Sequence, residues 1–322
     1  MRRLLGFYIF SAVVLILPVL FPDNYYVTVV GVTICQNVIL AVSLNLLMGY
    51  AGQISLGHAA FYGLGAYTSA ILTAKYGINP WLAMGAGAAG VGAISYLLSK
   101  PILKLKGHYL AMATLGLGII VHIFLVQADE ITGGPDGMSG IPALSIAGFP
   151  IDTDLRWYVV FAIFMLFCIW LSLNLVDSRA GRALEAVHGS EIAAQMVGID
   201  TAQVKTHIFV FSTVIASVTG SLFAHQQSFV SPESFSFFFS IELVTMVVLG
   251  GLASVFGSVA GAVILSLLPE FLIVFEDFEV LIFGAILMVI MIFQPEGLFV
   301  AIRNRVTALL SRAGGEEAAP EA

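Results

Sequence analysis

The chain has 322 residues, 59% of them apolar and only 10% charged, with a mean hydropathy of +0.99 and a formal net charge of −7. Soluble domains carry roughly 25% charged residues, so these figures exclude an ordinary soluble domain and define a polytopic membrane protein. Cys35 and Cys168 both lie in apolar runs, which implies neither a disulfide framework nor a metal-binding spacing.

Spanning a roughly 30 Å hydrocarbon layer takes about 20 mostly apolar residues, and that ruler predicts an all-α chain of about ten spans. The first, near 4–21, has a basic start and an apolar core but no small-residue cleavage site, and reads as an uncleaved span rather than a signal peptide. The others are expected near 26–48, 58–74, 81–99, 108–127, 157–176, 207–228, 235–253, 256–274 and 279–294. With the N-terminus inside, Arg2, Arg3, Lys100, Lys104, Lys106, Arg179, Arg182, Lys205, Arg303, Arg305 and Arg312 fall on the cytoplasmic side, and only Lys75 and Arg156 fall outside. Eleven against two is a strong positive-inside bias, and it places both termini in the cytoplasm. Residues 1–312 are expected to form one transmembrane domain, and the small acidic tail 313–322 to be disordered.

The outer side then carries one long loop, 128–156, with five acidic residues and turn-forming Gly-Gly-Pro and Asp-Gly pairs. The cytoplasmic side carries a polar connector, 177–206. Its pattern predicts two short helices, Arg182–His188 ending at Gly189, and Glu191–Val197 starting after Ser190 and ending at Gly198. Glu191 in a first turn suits the positive end of the helix dipole.

Three polar features fall within the spans. Asn45, Gln53, Ser55 and His58 cluster in NLLMGYAGQISLGHAAF, where glycines permit a break in the helix. Irregular backbone at membrane depth is tolerated only where it is buried in protein or lines a water-filled cavity, so the segment is a candidate substrate path, the competing role being interhelical packing. Thr114 and Thr245 are further path candidates on neighbouring spans. Glu242, in the outer half of the eighth span, costs roughly 2.5–3.5 kcal/mol at the bilayer centre and less toward the interface. It either faces the α-amino group of a zwitterionic substrate or reaches outward to Ser240 or solvent. Gly52 and Gly251 each open a G-x-x-S pattern after a span, a hint of an internal repeat. No Gly-Lys pair exists, so there is no P-loop, and H-E-x-x-H, C-x-x-C and G-x-S-x-G are absent as well. The chain is therefore expected to carry no catalytic residues, no metal and no cofactor.

NLLMGYAGQISLGHAAFYGLGAY, GHYLAMATLGLGIIV, ITGGPDGMSGIP, SFVSPESF, MVVLGGLASVFGSVAGAVIL and QPEGL occur in this order along nearly the whole chain. Together they resemble the M-type permease subunit of the branched-chain amino acid ABC importer. That resemblance implies a transport subunit for leucine, isoleucine or valine, not an enzyme, with ATP bound by separate subunits. Its implied partners are a second permease subunit, two ATPase subunits and a periplasmic binding protein. The family's coupling motif, E-A-A-x-x-x-G, would map to Glu191, Ala193, Ala194 and Gly198, with Arg182 and Glu185 on the lead-in helix. Glu191 stands two residues before the alanines instead of adjacent to them, and the downstream I-x-L-P is missing. The resemblance also implies that Gly133, Gly134, Pro135, Asp136, Pro232 and Glu233 contact the binding protein. Two other readings remain: a permease of the same class for another small polar solute such as urea, and a secondary transporter or channel without an ATPase.

Overall fold

A computed structural model of the protein describes residues 2–21, 24–146 and 149–272 and isolated positions between 281 and 292. Most of the expected tenth span, the tail 313–322 and Arg303, Arg305 and Arg312 lie outside the described residues.

The protein is mostly helical. Among the described residues seven helical stretches are long and apolar enough to cross a membrane, namely Tyr26–Tyr50, Pro80–Ile102, His108–Gln127, Asp154–Asp177, Thr201–Gln227, Pro232–Gly250 and Val255–Leu272. In chain order the helices are α1 (Arg2–Leu20), α2 (Gly31–Asn45, extended by π-helical turns at Tyr26–Val30 and Leu46–Tyr50), α3 (His58–Ala74), α4 (Pro80–Ile102), α5 (His108–Gln127) and the single turn α6 (Asp129–Thr132). Then follow α7 (Asp154–Asp177), α8 (Arg179–Gly189), α9 (Glu191–Met196), α10 (Thr201–Gln227), α11 (Phe237–Gly250) and α12 (Val255–Leu272).

Capping chemistry sets several boundaries. Asn79 accepts from the Trp81 amide and Pro80 opens the helix, so α4 begins one residue before its expected span. Thr153 caps α7 in the same way, accepting from the Arg156 amide, and α7 starts at Asp154 instead of 157.

Two helices form the centre. Residues Val38 to Leu47 of α2 have almost no exposure, because α7, α10, α11 and α12 surround them. α10 packs along α3 and α4, and α5 leans on α3 with most of its own surface exposed. Lipid tails are as apolar as leucine, so helices in a membrane associate through close packing and polar contacts rather than through a hydrophobic drive. The α3–α10 seam shows both. A Cβ on Gly65 would run into the Ser217 backbone, and one on Gly220 into the Tyr62 carbonyl, so both positions require glycine for this approach. Ser221 Oγ donates to the Gly65 carbonyl at 3.1 Å, and Phe61 meets Phe209 edge-on at 5.6 Å.

At one end of the bundle, the segment 128–153 folds back on the helices. Two short strands, β1 (Met138–Ser139) and β4 (Phe229–Val230), pair antiparallel, and β2 (Ser145–Ile146) pairs with β3 (Phe149–Pro150). Lys75 Nζ donates to the Ile131 carbonyl at 2.9 Å, Trp81 Nε1 to the Ser145 carbonyl at 2.8 Å, and His225 Nδ1 contacts the Pro142 carbonyl at 2.8 Å. The expected long outer loop is thus a folded cover.

Gly220→Ala is expected to destabilise the protein by about 1–3 kcal/mol through overpacking, despite alanine's better helix propensity. Gly85→Ala on α4, where a Cβ would meet open space, should be neutral or gain up to about 1 kcal/mol. Thermal unfolding in detergent measures both.

Candidate functional site

The polar connector is built from three successive caps. Ser178 Oγ accepts from the Ala180 and Gly181 amides to start α8, Ser190 Oγ accepts from the Ala193 amide to start α9, and Asp200 Oδ1 accepts from the Gln203 amide to start α10. α8 begins three residues earlier than the sequence pattern predicts. Gly181 lies inside the helix, where a Cβ would strike the Val176 and Leu175 carbonyls, so its role is close packing rather than helix breaking. α8 buries Gly181, Leu184 and Val187 and exposes Arg182 and Glu185.

α9 ends as its sequence predicts, one residue short. The Gly198 amide donates to the Gln195 carbonyl and the Ile199 amide to the Ala194 carbonyl, both at 3.0 Å. This paired arrangement satisfies the last carbonyls and needs a left-handed residue, and Gly198 supplies it at φ +85°. Ala194 is buried, whereas Ala193 is exposed and Ile192, Met196 and Val197 are exposed by 70%, 85% and 76%. α9 therefore presents an apolar knob outward.

Glu191 does not point outward. Its carboxylate is shared between Lys205, which is buried in α10, and Lys106 in the α4–α5 turn at 3.2 Å. Burial works against its charged form, but hydrogen bonds and charge from the two lysines outweigh this and hold the carboxyl below its ordinary value. The sequence pattern gave no sign of either lysine as a partner. Lys205 lies beyond the next cap, and Lys106 comes from a different pair of spans.

The second region is the break between α2 and α3. Asn45, buried, donates to the Ser254 carbonyl at 3.0 Å and accepts from the Ala253 amide at 3.1 Å. It thereby ties the end of α2 to the α11–α12 turn. Thr114 Oγ1 of α5 accepts from the Leu56 amide at 3.0 Å, and Ser240 Oγ of α11 accepts from the Ala59 amide at 3.2 Å. Ser43 Oγ donates to the Leu40 carbonyl and so accepts from His58 Nε2 at 3.0 Å, which leaves His58 Nδ1 as a bare acceptor. Gln53 Oε1, Ser55 Oγ and His58 Nδ1 are all buried without a hydrogen-bond partner among the described residues. Buried polar atoms ordinarily have a partner, and here three within six residues have none among the described residues.

Glu242 lies elsewhere. It lines an open cavity of about 460 Å³ together with Thr245, Glu233 and Ser236, on the side of α11 that carries Phe238 and Ile241. Thr245 Oγ1 donates to the Ile241 carbonyl. No described cation or donor pairs with Glu242, and Ser240, the expected alternative contact, is engaged with Ala59. The structure thus brings Glu242, Thr245 and Glu233 together around one cavity, whose wall does not include Gln53, Ser55 or His58.

The loop candidates also converge. Gly133 and Gly134 turn the chain into a 3₁₀ turn, Gly134–Asp136, and Gly137 sits so close to Val230 that a Cβ would strike its carbonyl. The β1–β4 pairing carries this turn beside a second 3₁₀ turn, Pro232–Phe235, holding Pro232 and Glu233.

A bundle of long apolar helices, interrupted by polar glycine-rich turns and topped at opposite ends by a capped connector and a folded cover, has the build of a membrane transport protein. The sequence profile of the family described as "Branched-chain amino acid transport system / permease component" matches residues 26–293, and the chain belongs to that family. It is 34% identical over 304 residues to the high-affinity branched-chain amino acid transport system permease protein LivM of Salmonella typhimurium, covering 87% of this chain and 72% of that protein. LivM of Escherichia coli matches with the same figures. The permease protein LivH of Escherichia coli is 23% identical over 286 residues, covering 83% of this chain and 92% of LivH. No solved structure matches the chain.

Because the Glu191 carboxyl is held below its ordinary value, its contribution is complete above that value and is lost as the pH falls through the lowered one. Glu191→Gln removes the charge-assisted bonds at all pH values, and amide exchange across 191–199 should quicken by about tenfold at neutral pH. Exchange in the wild type should approach that of the variant only in acid.

Proposed function

We propose that this chain is the M-type permease subunit of an ATP-driven importer of leucine, isoleucine and valine in the bacterial inner membrane. It would work with a second permease subunit, two ATPase subunits and a periplasmic binding protein. The observation that carries this reading is the 34% identity to LivM proteins across 87% of the chain. Family membership makes the chain a transport component, and ATP in this reading acts from the partner subunits.

The chain crosses the membrane ten times in this reading. The seven long apolar stretches supply seven crossings, α1 and α3 two more, and residues 279–294 the last. The meeting of Lys106, Glu191 and Lys205 at one end, and of Lys75 with the 128–153 cover at the other, supports the orientation that the positive-inside rule gives. The connector is then cytoplasmic, and both termini are too.

α9 is the coupling helix. Ile192, Met196 and Val197 dock into an apolar site on the ATPase, Ala193 permits close approach, and Gly198 terminates the helix. Ala194 and Glu191 fix α9 to the bundle, while Arg182 and Glu185 border the contact on α8. At the other end, Gly133–Asp136 with Pro232 and Glu233 receives the binding protein. The released amino acid meets Glu242, whose unpaired carboxylate suits an α-ammonium group, with Thr245 beside it. Gln53, Ser55, His58 and Thr114 mark the inner part of the path, and Asn45 holds its wall in place. Urea carries no charge and would leave Glu242 unpaired, so this carboxylate favours an amino acid.

Gly198→Trp is expected to abolish ligand-stimulated ATP hydrolysis in the reconstituted transporter while the subunit still inserts. Unchanged stimulation would sink the assignment of α9. Glu242→Gln should lower leucine uptake into proteoliposomes about 10- to 100-fold, the loss of one charge-assisted hydrogen bond. Uptake of urea without uptake of leucine by the wild type would overturn the substrate class.

A further inference from the structure

Where α4 ends and α10 begins, the protein holds a cavity of about 760 Å³ that the transport roles above leave without an occupant. One wall is the last turn of α4 and the residues after it, with Tyr96, Lys100 and Lys104. The other is the first two turns of α10, with Gln203, Lys205 and His207.

The charge in this cavity is unbalanced. Glu191 at its rim is already shared by Lys205 and Lys106. Asp200 caps α10 by accepting from the Gln203 amide. Neither Lys100 nor Lys104 forms an ion pair with a described carboxylate, and the Lys100 ammonium instead lies 5.3 Å from the centre of the Tyr96 ring. The N-terminus of the 27-residue α10 opens into the same space, and the Asp200 carboxylate already sits on the positive end of its dipole, so Lys100 and Lys104 are the cations left to a ligand.

The depth of the cavity is fixed by the helices. α4 and α10 are both long enough to span the hydrocarbon layer, so the ends that adjoin here lie at the level of the headgroups. In the turns of α4 before Lys100, Ile94, Tyr96 and Leu97 are exposed by 46%, 50% and 72%. Cations at the headgroup level with an apolar wall toward the bilayer centre match a ligand that is anionic at one end and greasy at the other. A soluble phosphate would use the lysines alone.

We propose that this cavity seats the phosphodiester headgroup of an anionic phospholipid, with Lys100 and Lys104 on the phosphate oxygens and an acyl chain along Tyr96 and Leu97. Basic pockets between spans at the cytoplasmic face have the chemistry for such headgroups.

The test uses the full chain in nanodiscs made from an equal mixture of phosphatidylglycerol and phosphatidylcholine, with lipid retained after extraction counted by native mass spectrometry. The wild type should retain phosphatidylglycerol in preference. The double variant Lys100→Gln, Lys104→Gln should lose about tenfold of that preference, and Lys100→Arg, Lys104→Arg should keep it. Arg179→Gln, Arg182→Gln removes the same charge from α8 and should keep it too. An undiminished preference in the Lys100→Gln, Lys104→Gln variant places the lipid elsewhere and overturns the proposal. An equal loss in the α8 variant reduces it to bulk charge and overturns it as well. Displacement of the retained lipid by millimolar inorganic phosphate would identify a soluble phosphate site and overturn the lipid assignment.

Discussion

At membrane depth a backbone N–H or C=O without a partner costs several kcal/mol, and no water is there to supply one. At the break between α2 and α3, neighbouring helices and the chain itself meet part of that demand. Thr114 of α5 accepts from Leu56, Ser240 of α11 accepts from Ala59, and Gln53 donates its amide back to the Leu47 carbonyl. Asn45 does the same service for the α11–α12 turn through Ala253 and Ser254. One irregular segment is thus tied to α5, α11 and the α11–α12 turn, and moving any of these disturbs its hydrogen bonds. Beside these satisfied amides, Gln53 Oε1, Ser55 Oγ and His58 Nδ1 stay buried without a partner among the described residues.

The same constraint explains the glycines. Side-chain hydroxyls reach a neighbouring backbone only when the helices approach closely, and close approach requires the absence of a Cβ. Gly65 and Gly220 let α3 and α10 meet, which brings Ser221 within reach of the Gly65 carbonyl. Gly57 does likewise between the break and α5, where a Cβ would strike the Thr114 carbonyl. Small residues and polar glue are two parts of one packing solution.

The helices and their caps were legible because both are local. Hydropathy over about 20 residues marked the seven stretches long and apolar enough to cross a membrane, and Ser190 and Gly198 marked α9 within a residue. The start of α8 was missed by three residues, because its cap, Ser178, was not recognised in the sequence. The site was less legible, because its partners are far apart in the chain. Nothing near Glu191 points to Lys106, nothing near Met138 points to Val230, and the pairing of Glu242 with Glu233 in one cavity depends on the 3₁₀ turn before α11.

The inward turn of Glu191 bears on how a push at α9 travels. A six-residue helix on a slack connector would absorb a displacement by swinging. Here both of its ends are constrained, by the Ser190 cap and by the hydrogen bonds around Gly198, and Glu191 clamps it to α10 and to the α4–α5 turn. A force on Ile192 and Met196 therefore passes into α10, the helix packed most extensively against α3 and α4. α8 gives a second route. His188 abuts Gly52, where even a methyl group would lie 3.3 Å from its Nδ1, so a shift of α8 bears directly on the break that carries Gln53 and Ser55. Both routes end on the polar segment between α2 and α3, one through α10 and α3 and the other by direct contact. A carboxylate facing the bundle turns a small surface helix into a rigid extension of the spans.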